Sequence, residues 1–148
     1  MTIHGDAHPH NFLWYEQRTE RAHLKLIDFE VVGLGSPPQE LGQYLISHME
    51  PALRRENERS LVEEYHAQVC AHLERMEKEG SSSTFEFETC WQEYIDGGFG
   101  RWAWFVGGFD IFFGGAKNAA MCQYFHDQLA AFARDHIQDP QNAPMPRI

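Results

Sequence analysis

Polar and apolar positions follow two different periods along this chain, and the change of period divides it. Asn11–Tyr15 (N-F-L-W-Y) is an aromatic-rich run of the kind that forms strands. Glu16–Arg21 is polar and predicts the connecting turn. His23–Phe29 predicts a second strand, with Leu24 and Leu26 on one face and Lys25 and Ile27 on the other. Paired antiparallel, the two strands bring Asn11 at one end of the hairpin next to Asp28 at the other. Gly33–Pro38 is rich in breakers and predicts a loop.

Beyond that loop the period lengthens. Leu41, Tyr44, Leu45 and His48 predict a helix over Gln39–Met49. Pro51 suits the first turn of the next helix. There Leu61, Tyr65, Val69, Leu73 and Met76 form a stripe expected to face the core. Glu79–Ser83 is a linker-like break, after which Thr84 can cap a helix running through Trp91, Tyr94 and Ile95. Residues 118–137 predict a last amphipathic helix with Met121, Phe125, Leu129 and Phe132 inward. Asp139–Ile148 holds three prolines and reads as a loose tail.

Gly97–Gly115 interrupts this regularity with G-G-F-G-R-W-A-W-F-V-G-G-F-D-I-F-F-G-G. Gly100, Gly107 and Gly114 recur every seven residues, on one side of a helix. The expected role is a glycine stripe that lets another backbone approach while the rings fill the core. The alternative is a substrate pocket walled by Trp102, Trp104, Phe105 and Phe109. A membrane span does not fit, because about twenty continuous apolar residues are needed and Arg101 and Asp110 interrupt the run.

Composition narrows the function classes. The 148 residues suffice for one domain, and 43% hydrophobic content allows a sizeable core. A formal net charge of −10 argues against a broad nucleic-acid footprint, which needs clustered Lys and Arg. Cys70, Cys90 and Cys122 are widely separated and odd in number, so neither a zinc knot nor a disulfide framework is indicated, and a reducing, cytoplasmic setting is expected. Met1–Asp6 has no apolar core of a signal peptide.

The chemistry concentrates in Ile3–Asn11 (I-H-G-D-A-H-P-H-N) and Leu24–Glu30 (L-K-L-I-D-F-E). Asp6, Asn11 and Asp28 offer three short oxygen-bearing side chains from a loop and the strands behind it. Phosphoryl transfer needs such a set: an Asp to take or orient the proton of the attacking hydroxyl, and an Asn with a second Asp to hold magnesium. His4-Gly5-Asp6 followed by Asn11 resembles the H-G-D-x-x-x-x-N signature of the aminoglycoside phosphotransferase and choline kinase group, small-molecule kinases with a protein-kinase-like fold. Ile27-Asp28-Phe29-Glu30 is similar to their second metal motif.

That resemblance implies an α+β, mostly helical C-terminal lobe with a small hairpin beside the catalytic loop. It implies ATP-dependent phosphoryl transfer to a hydroxyl of a small molecule, with Asp6 as catalytic base and Asn11 and Asp28 as Mg2+ ligands. His4 would pack under the loop, and Gly5 would permit its tight geometry. Glu30 stands where protein kinases place Gly; it reads as an exposed acid or as a water-mediated contact to metal or substrate. Glu40-Leu41 resembles the Asp-Leu element whose acid braces the catalytic loop from below. Glu is one methylene longer, and a first-turn acid complementing the helix dipole is the other reading.

The family's nucleotide-binding N-terminal lobe, with its phosphate-covering loop, strand Lys and helix Glu, is not represented in these residues. The expected organisation is therefore a partial lobe over 1–137 and a Pro-rich tail over 138–148. The resemblance is strong over Ile3–Glu30 and looser to about Leu73. The isolated chain is expected to be inactive, to bind ATP poorly and to self-associate through the surface where the other lobe docks. The alternative is a non-catalytic lobe that binds a partner or ligand. A different chemistry is also open: His4, Asp6, His8 and His10 alternate, and alternating imidazoles can ligate zinc or iron.

Overall fold

A two-residue strand opens the chain and is paired by one that arrives after the hairpin. The computed structural model describes residues 1–16, 22–77, 85–112 and 118–137. The linker-like Glu79–Ser83, the expected cap Thr84, Gly114 and the tail Asp139–Ile148 lie outside these. Strand β1 (Thr2–Ile3) runs antiparallel to β4 (Gly33–Leu34), with Thr2 opposite Leu34 and Ile3 opposite Gly33. The expected loop at Gly33–Pro38 thus begins as a strand. Two residues are too few to show a period, and the pairing partner is remote in sequence.

The hairpin forms, but its second strand ends at Leu26, short of the expected Phe29, because Asp28 turns into the left-handed region. Strands β2 (Phe12–Glu16) and β3 (Ala22–Leu26) are antiparallel, in register from Phe12 opposite Leu26 to Glu16 opposite Ala22. The Ile27 N–H donates to Asn11 O at 3.0 Å and carries the ladder one step further. Asn11 itself closes a short 3-10 turn, Pro9–Asn11. Two-stranded sheets of this size are marginal alone, so the helices must hold them.

Four helices follow: α1 (Pro37–His48), α2 (Pro51–Glu77), α3 (Phe87–Phe112) and α4 (Ala119–His136). Among the described residues no helix is long and apolar enough to cross a membrane. Helix α1 begins on two prolines, whose fixed φ suits a first turn where no N–H is needed. It packs chiefly on α3. The crossing point is Gly42 against Gly98. A Cβ on Gly42 would lie 2.6 Å from Tyr94 O and 2.7 Å from Gly98 Cα. Backbone-to-backbone approach does occur, then, at Gly98; of the sevenfold glycines, Gly107 faces open space. Trp102 is buried with Val106, whereas Trp104 is 55% exposed. The described part of the glycine–aromatic stretch is therefore packing on one side and surface on the other.

The core gathers Leu45 and Ile46 from α1, Val62 from α2, Tyr94, Ile95, Trp102 and Val106 from α3, and Cys122 and Phe132 from α4. The two expected stripes hold in part: Phe132 is in the core, and Phe125 and Leu129 of α4 and Leu61 and Tyr65 of α2 pack against it. On α4, Met121 is exposed while its neighbour Cys122 is buried, and Gln128 closes the face toward α1 by donating to Met49 O at 3.3 Å. On α2, Leu61, Tyr65, Val69 and Leu73 are only half-buried. The deepest line on that helix is Arg54, Glu58 and Val62, two charges and a valine.

Those charges are buried because they are paired. Arg54 Nη1 donates to Glu58 Oε2 at 2.5 Å, and Nη2 donates to Asp135 of α4. Tyr94 OH donates to the same Glu58 oxygen at 2.9 Å, and His136 Nε2 lies 3.0 Å from Glu58 Oε1. The Arg54 guanidinium also lies over the Phe132 ring, 4.9 Å from its centroid. The network ties α2, α3 and α4 together. Burial alone would raise the Glu58 pKa, but the bonds from His136 and Arg54 hold it below the ordinary 4.5. Breaking such a set leaves an uncompensated buried charge.

Two predictions follow from this architecture. Arg54→Ala should cost about 3–5 kcal/mol, read by chemical denaturation. Because the Glu58 pKa is depressed in the folded state, the stability it contributes is present above the ordinary carboxylate pKa of 4.5 and lost as pH falls through the folded value. The melting temperature should therefore drop below pH 4.5, and drop less in Glu58→Gln. Equal slopes would contradict the ion network. The second prediction concerns the surface. Leu13, Trp14, Leu24, Phe29, Val31 and Leu34 are each about half or more exposed, on the hairpin and the segment after it. Contiguous apolar area of this kind favours association. Light scattering should show self-association of the 1–148 chain, abolished by Trp14→Thr with Leu24→Lys, which sit opposite each other in the register. Association undiminished in the double variant would place the contact elsewhere.

Candidate active site

The loop between β1 and the hairpin is held from below by one face of α1. Glu40, Tyr44 and His48 recur every four residues, so they lie in a row on that face. Glu40 accepts two backbone hydrogen bonds, from His4 N–H to Oε2 at 3.0 Å and from Gly5 N–H to Oε1 at 2.5 Å. The longer side chain thus makes the brace with both oxygens, while also standing in the first turn of its helix. Tyr44 meets the Phe12 ring edge-on at 5.8 Å, and His48 stacks on His8 at 6.3 Å.

The loop could not take this shape with another residue at position 5. Gly5 has φ +90, and a Cβ there would lie 2.1 Å from Val31 O. The left-handed region and the close carbonyl both demand glycine. His4 is buried and uses both ring nitrogens. Nε2 donates to Ile27 O at 2.8 Å, and Nδ1 accepts from the Asp6 N–H at 3.2 Å. Its ring leans on Phe29 at 4.7 Å. His4 therefore couples the loop to the strand end that carries Asp28. With both nitrogens engaged, it is not available to the alternating-imidazole arrangement.

The hairpin brings Asn11 beside Ile27, the residue before Asp28. Asn11 is buried, and its carbonyl oxygen takes the N–H of Ile27. Its Nδ2 donates to Asp6 O at 2.9 Å and approaches Asp6 Oδ2 at 3.4 Å. That orientation ties Asn11 to the loop through nitrogen and leaves Oδ1 as an oxygen donor. Asp28 is exposed and has φ +63, the left-handed region, as a non-glycine residue. Such a conformation costs roughly 1 kcal/mol or more and is concentrated at functional sites. Glu30 is exposed in the turn closed by Val32 N–H to Phe29 O at 3.2 Å, past the strand end rather than in it.

An amide oxygen and a carboxylate form a hard donor set suited to magnesium, which takes one or two protein oxygens and fills its shell with water and phosphate. Among the described residues no three His, Cys, Asp or Glu side chains are grouped to hold a metal.

Two neighbours were not singled out by sequence reasoning. Arg101, on α3, donates through Nε to Gln43 Oε1. Burial pulls its pKa below the usual value, partly opposed by the negative charges of Glu40 and Asp6. It places a cation behind the acidic loop, and nothing in its sequence context pairs it with residues so distant. His48 is pushed down to about 4 by burial and by His8 and His10, so its imidazole is neutral near pH 7. Its helical spacing from Tyr44 was visible, but its contact with His8 was not.

The brace makes a direct prediction. Glu40→Gln replaces one acceptor oxygen by an NH2 that faces a backbone N–H. The amides of His4 and Gly5 should lose most of their hydrogen-exchange protection in that variant, while the α3 core keeps its own. Unchanged protection at both amides would show that the loop stands without α1.

The model of the ecdysteroid kinase-like family matches residues 2–78. Searches of curated proteins and of solved structures returned no match. The matched segment contains β1, the His4–Asn11 loop, the hairpin with Asp28, and the braced helix α1. Covering just over half of the 148 residues, it shows that the chain belongs to the ecdysteroid kinase-like family of small-molecule kinases.

Proposed function

We propose that these residues form the catalytic-loop half of an ATP-dependent kinase that phosphorylates a hydroxyl of a small molecule. What supports the reading is that Asp6 and Asn11 share one loop, joined by the Asn11 Nδ2–Asp6 O hydrogen bond, and that the Ile27–Asn11 backbone bond puts the residue before Asp28 beside them. The Asp6 side chain is about a quarter exposed, 26%, open enough to meet a substrate yet held at its backbone by His4 and Asn11. As base it takes the proton of the acceptor hydroxyl while that oxygen bonds to the γ-phosphorus and the bond from phosphorus to the β–γ bridging oxygen breaks, releasing ADP. Magnesium, held by Asn11 and Asp28, would neutralise charge on the nucleotide phosphates. The strained Asp28 backbone and the amide-fixed Asn11 keep those two oxygens preorganised, so little reorganisation is needed at the moment of reaction.

The acceptor class is read from the family. A polyhydroxylated steroid alcohol is the first candidate, ahead of the aminoglycoside, choline or sugar acceptors of the wider group that the motif resembles. Positioning the nucleotide also requires a phosphate-covering loop and a Lys, which these residues do not supply. Isolated 1–148 should accordingly show no phosphotransfer and bind magnesium-ATP weakly.

The test uses an enzyme that also carries a nucleotide-binding lobe, assayed with magnesium-ATP and an ecdysteroid. Asp6→Asn and Asp28→Ala should each lower kcat by at least about a hundredfold, at the lower end of what general-base catalysis supplies, with circular dichroism unchanged. Asp28→Ala should also abolish magnesium-dependent nucleotide binding, measured by calorimetry. Turnover unchanged in either variant would overturn the assignment of that residue. A complete enzyme that binds the steroid without transferring phosphate would favour a binding lobe instead.

A further inference from the structure

His8 and His10 have no part in the reaction as described, yet His8 sits against the catalytic loop. Its Nε2 lies 3.3 Å from Asp6 Oδ2. Its ring is stacked on His48 of α1, 6.3 Å between centroids and 19° between planes, and meets His10 edge-on at 5.6 Å. These two neighbours restrict rotation of the His8 ring. Its backbone is fixed as well, because His8 O accepts from the Asn11 N–H at 2.9 Å.

The buried side of the ring decides the tautomer. His8 Nδ1 is buried and meets no hydrogen-bond partner among the described residues. A neutral imidazole has one N–H and one lone pair. Burying an N–H without an acceptor forfeits a strong bond to water, and orphaned N–H groups are the rarest kind of unsatisfied atom. Leaving a lone pair in that position is the smaller loss. The hydrogen therefore belongs on Nε2, the nitrogen that faces Asp6.

Asp6 Oδ2 then accepts one hydrogen bond, from Asn11, and is faced at hydrogen-bond distance by the His8 ring, whose N–H is not aligned on it. Asn11 Nδ2 approaches Oδ2 at 3.4 Å and His8 Nε2 approaches it at 3.3 Å. Oδ1 accepts no hydrogen bond among the described residues. Catalytic contacts are often long or poorly aligned before substrate is bound and tighten in the working complex. We propose that His8 is a positioning residue: its Nε2–H pins Oδ2 of Asp6, so that Oδ1 is the oxygen presented to the acceptor hydroxyl. This rests on the reading of Asp6 as the base. The role is orientation of a carboxylate by a neutral donor, comparable to the outer groups that orient a catalytic or ligating residue in other sites.

The test has one arm that needs no turnover. In the 1–148 chain labelled with 15N, imidazole spectra at pH 8 should show His8 with a protonated Nε2 and a bare Nδ1. The reverse tautomer would overturn the proposal. The second arm uses the two-lobe enzyme with magnesium-ATP and an ecdysteroid. His8→Phe keeps the stacking on His48 but removes the donor, and should lower kcat about 10- to 100-fold with acceptor KM nearly unchanged. His8→Gln can place an amide N–H close to the Nε2 position and should recover most of the rate. His8→Asn, too short to reach, should not. A His8→Phe enzyme of normal kcat would overturn the proposal, as would equal losses in the Gln and Asn variants. Asp6→Asn at full activity would instead remove the reading beneath it, so the two failures are distinguishable.

Discussion

A single carboxylate, Glu40, grips two adjacent backbone amides, and the site depends on that grip. The His4 and Gly5 N–H groups point into the protein, where they need acceptors, and Glu40 supplies one oxygen to each. The loop can turn so tightly only because Gly5 adopts a left-handed φ under the Val31 carbonyl. What positions Glu40 is the seating of α1, and α1 is seated by the Gly42–Gly98 crossing, where any side chain would force the helices apart. A contact between two glycines in the core is thus connected, through one helix turn, to the placement of Asp6.

The lower half of the molecule supplies the rigidity that this arrangement needs. Helices α2, α3 and α4 are joined by Arg54, Glu58, Asp135, His136 and Tyr94, while Arg59 of α2 lies over Phe87 and Trp91 of α3. Burying ions is costly unless each finds a partner of good geometry, and here one arginine meets two carboxylates. The upper half has the opposite character: short two-stranded sheets, exposed apolar side chains and two backbone positions in the left-handed region. Strain of this kind persists only where the surroundings over-determine it. The hydrogen bonds from His4 to Ile27 and from Ile27 to Asn11 supply that constraint.

Much of this was legible in the sequence, for reasons that differ by element. The hairpin and α1 carry clear periods, and the hairpin pairing foretold that Asn11 would lie beside the strand end that leads into Asp28. The resemblance of His4-Gly5-Asp6 and Asn11 to a kinase signature foretold a kinase-like family, though not which one. Strand β4 was read as loop because two residues have no period. The deepest line of α2 was missed because hydropathy counts Arg54 and Glu58 as surface, and their burial depends on partners on α3 and α4. The glycine-rich stretch suggested a close backbone approach, and Gly98 makes one, but its partner Gly42 gives no sign of itself in the local pattern. Glu40 was ambiguous because reach, not chemistry, decided its role. The contact of His8 with His48 depends on how α1 docks beneath the loop, which no local pattern encodes.

The central claim is that the loop braced by Glu40 presents Asn11 and Asp28 as a hard-cation site beside Asp6. Paramagnetic relaxation by Mn2+, a probe of the same hard-oxygen preference, tests it most directly. When Mn2+ with a non-hydrolysable ATP analogue is titrated into the 15N-labelled chain, the signals of Asn11 and Asp28 should broaden first and most. First broadening at His8, His10 and His48, with Asn11 and Asp28 unaffected, would contradict the account.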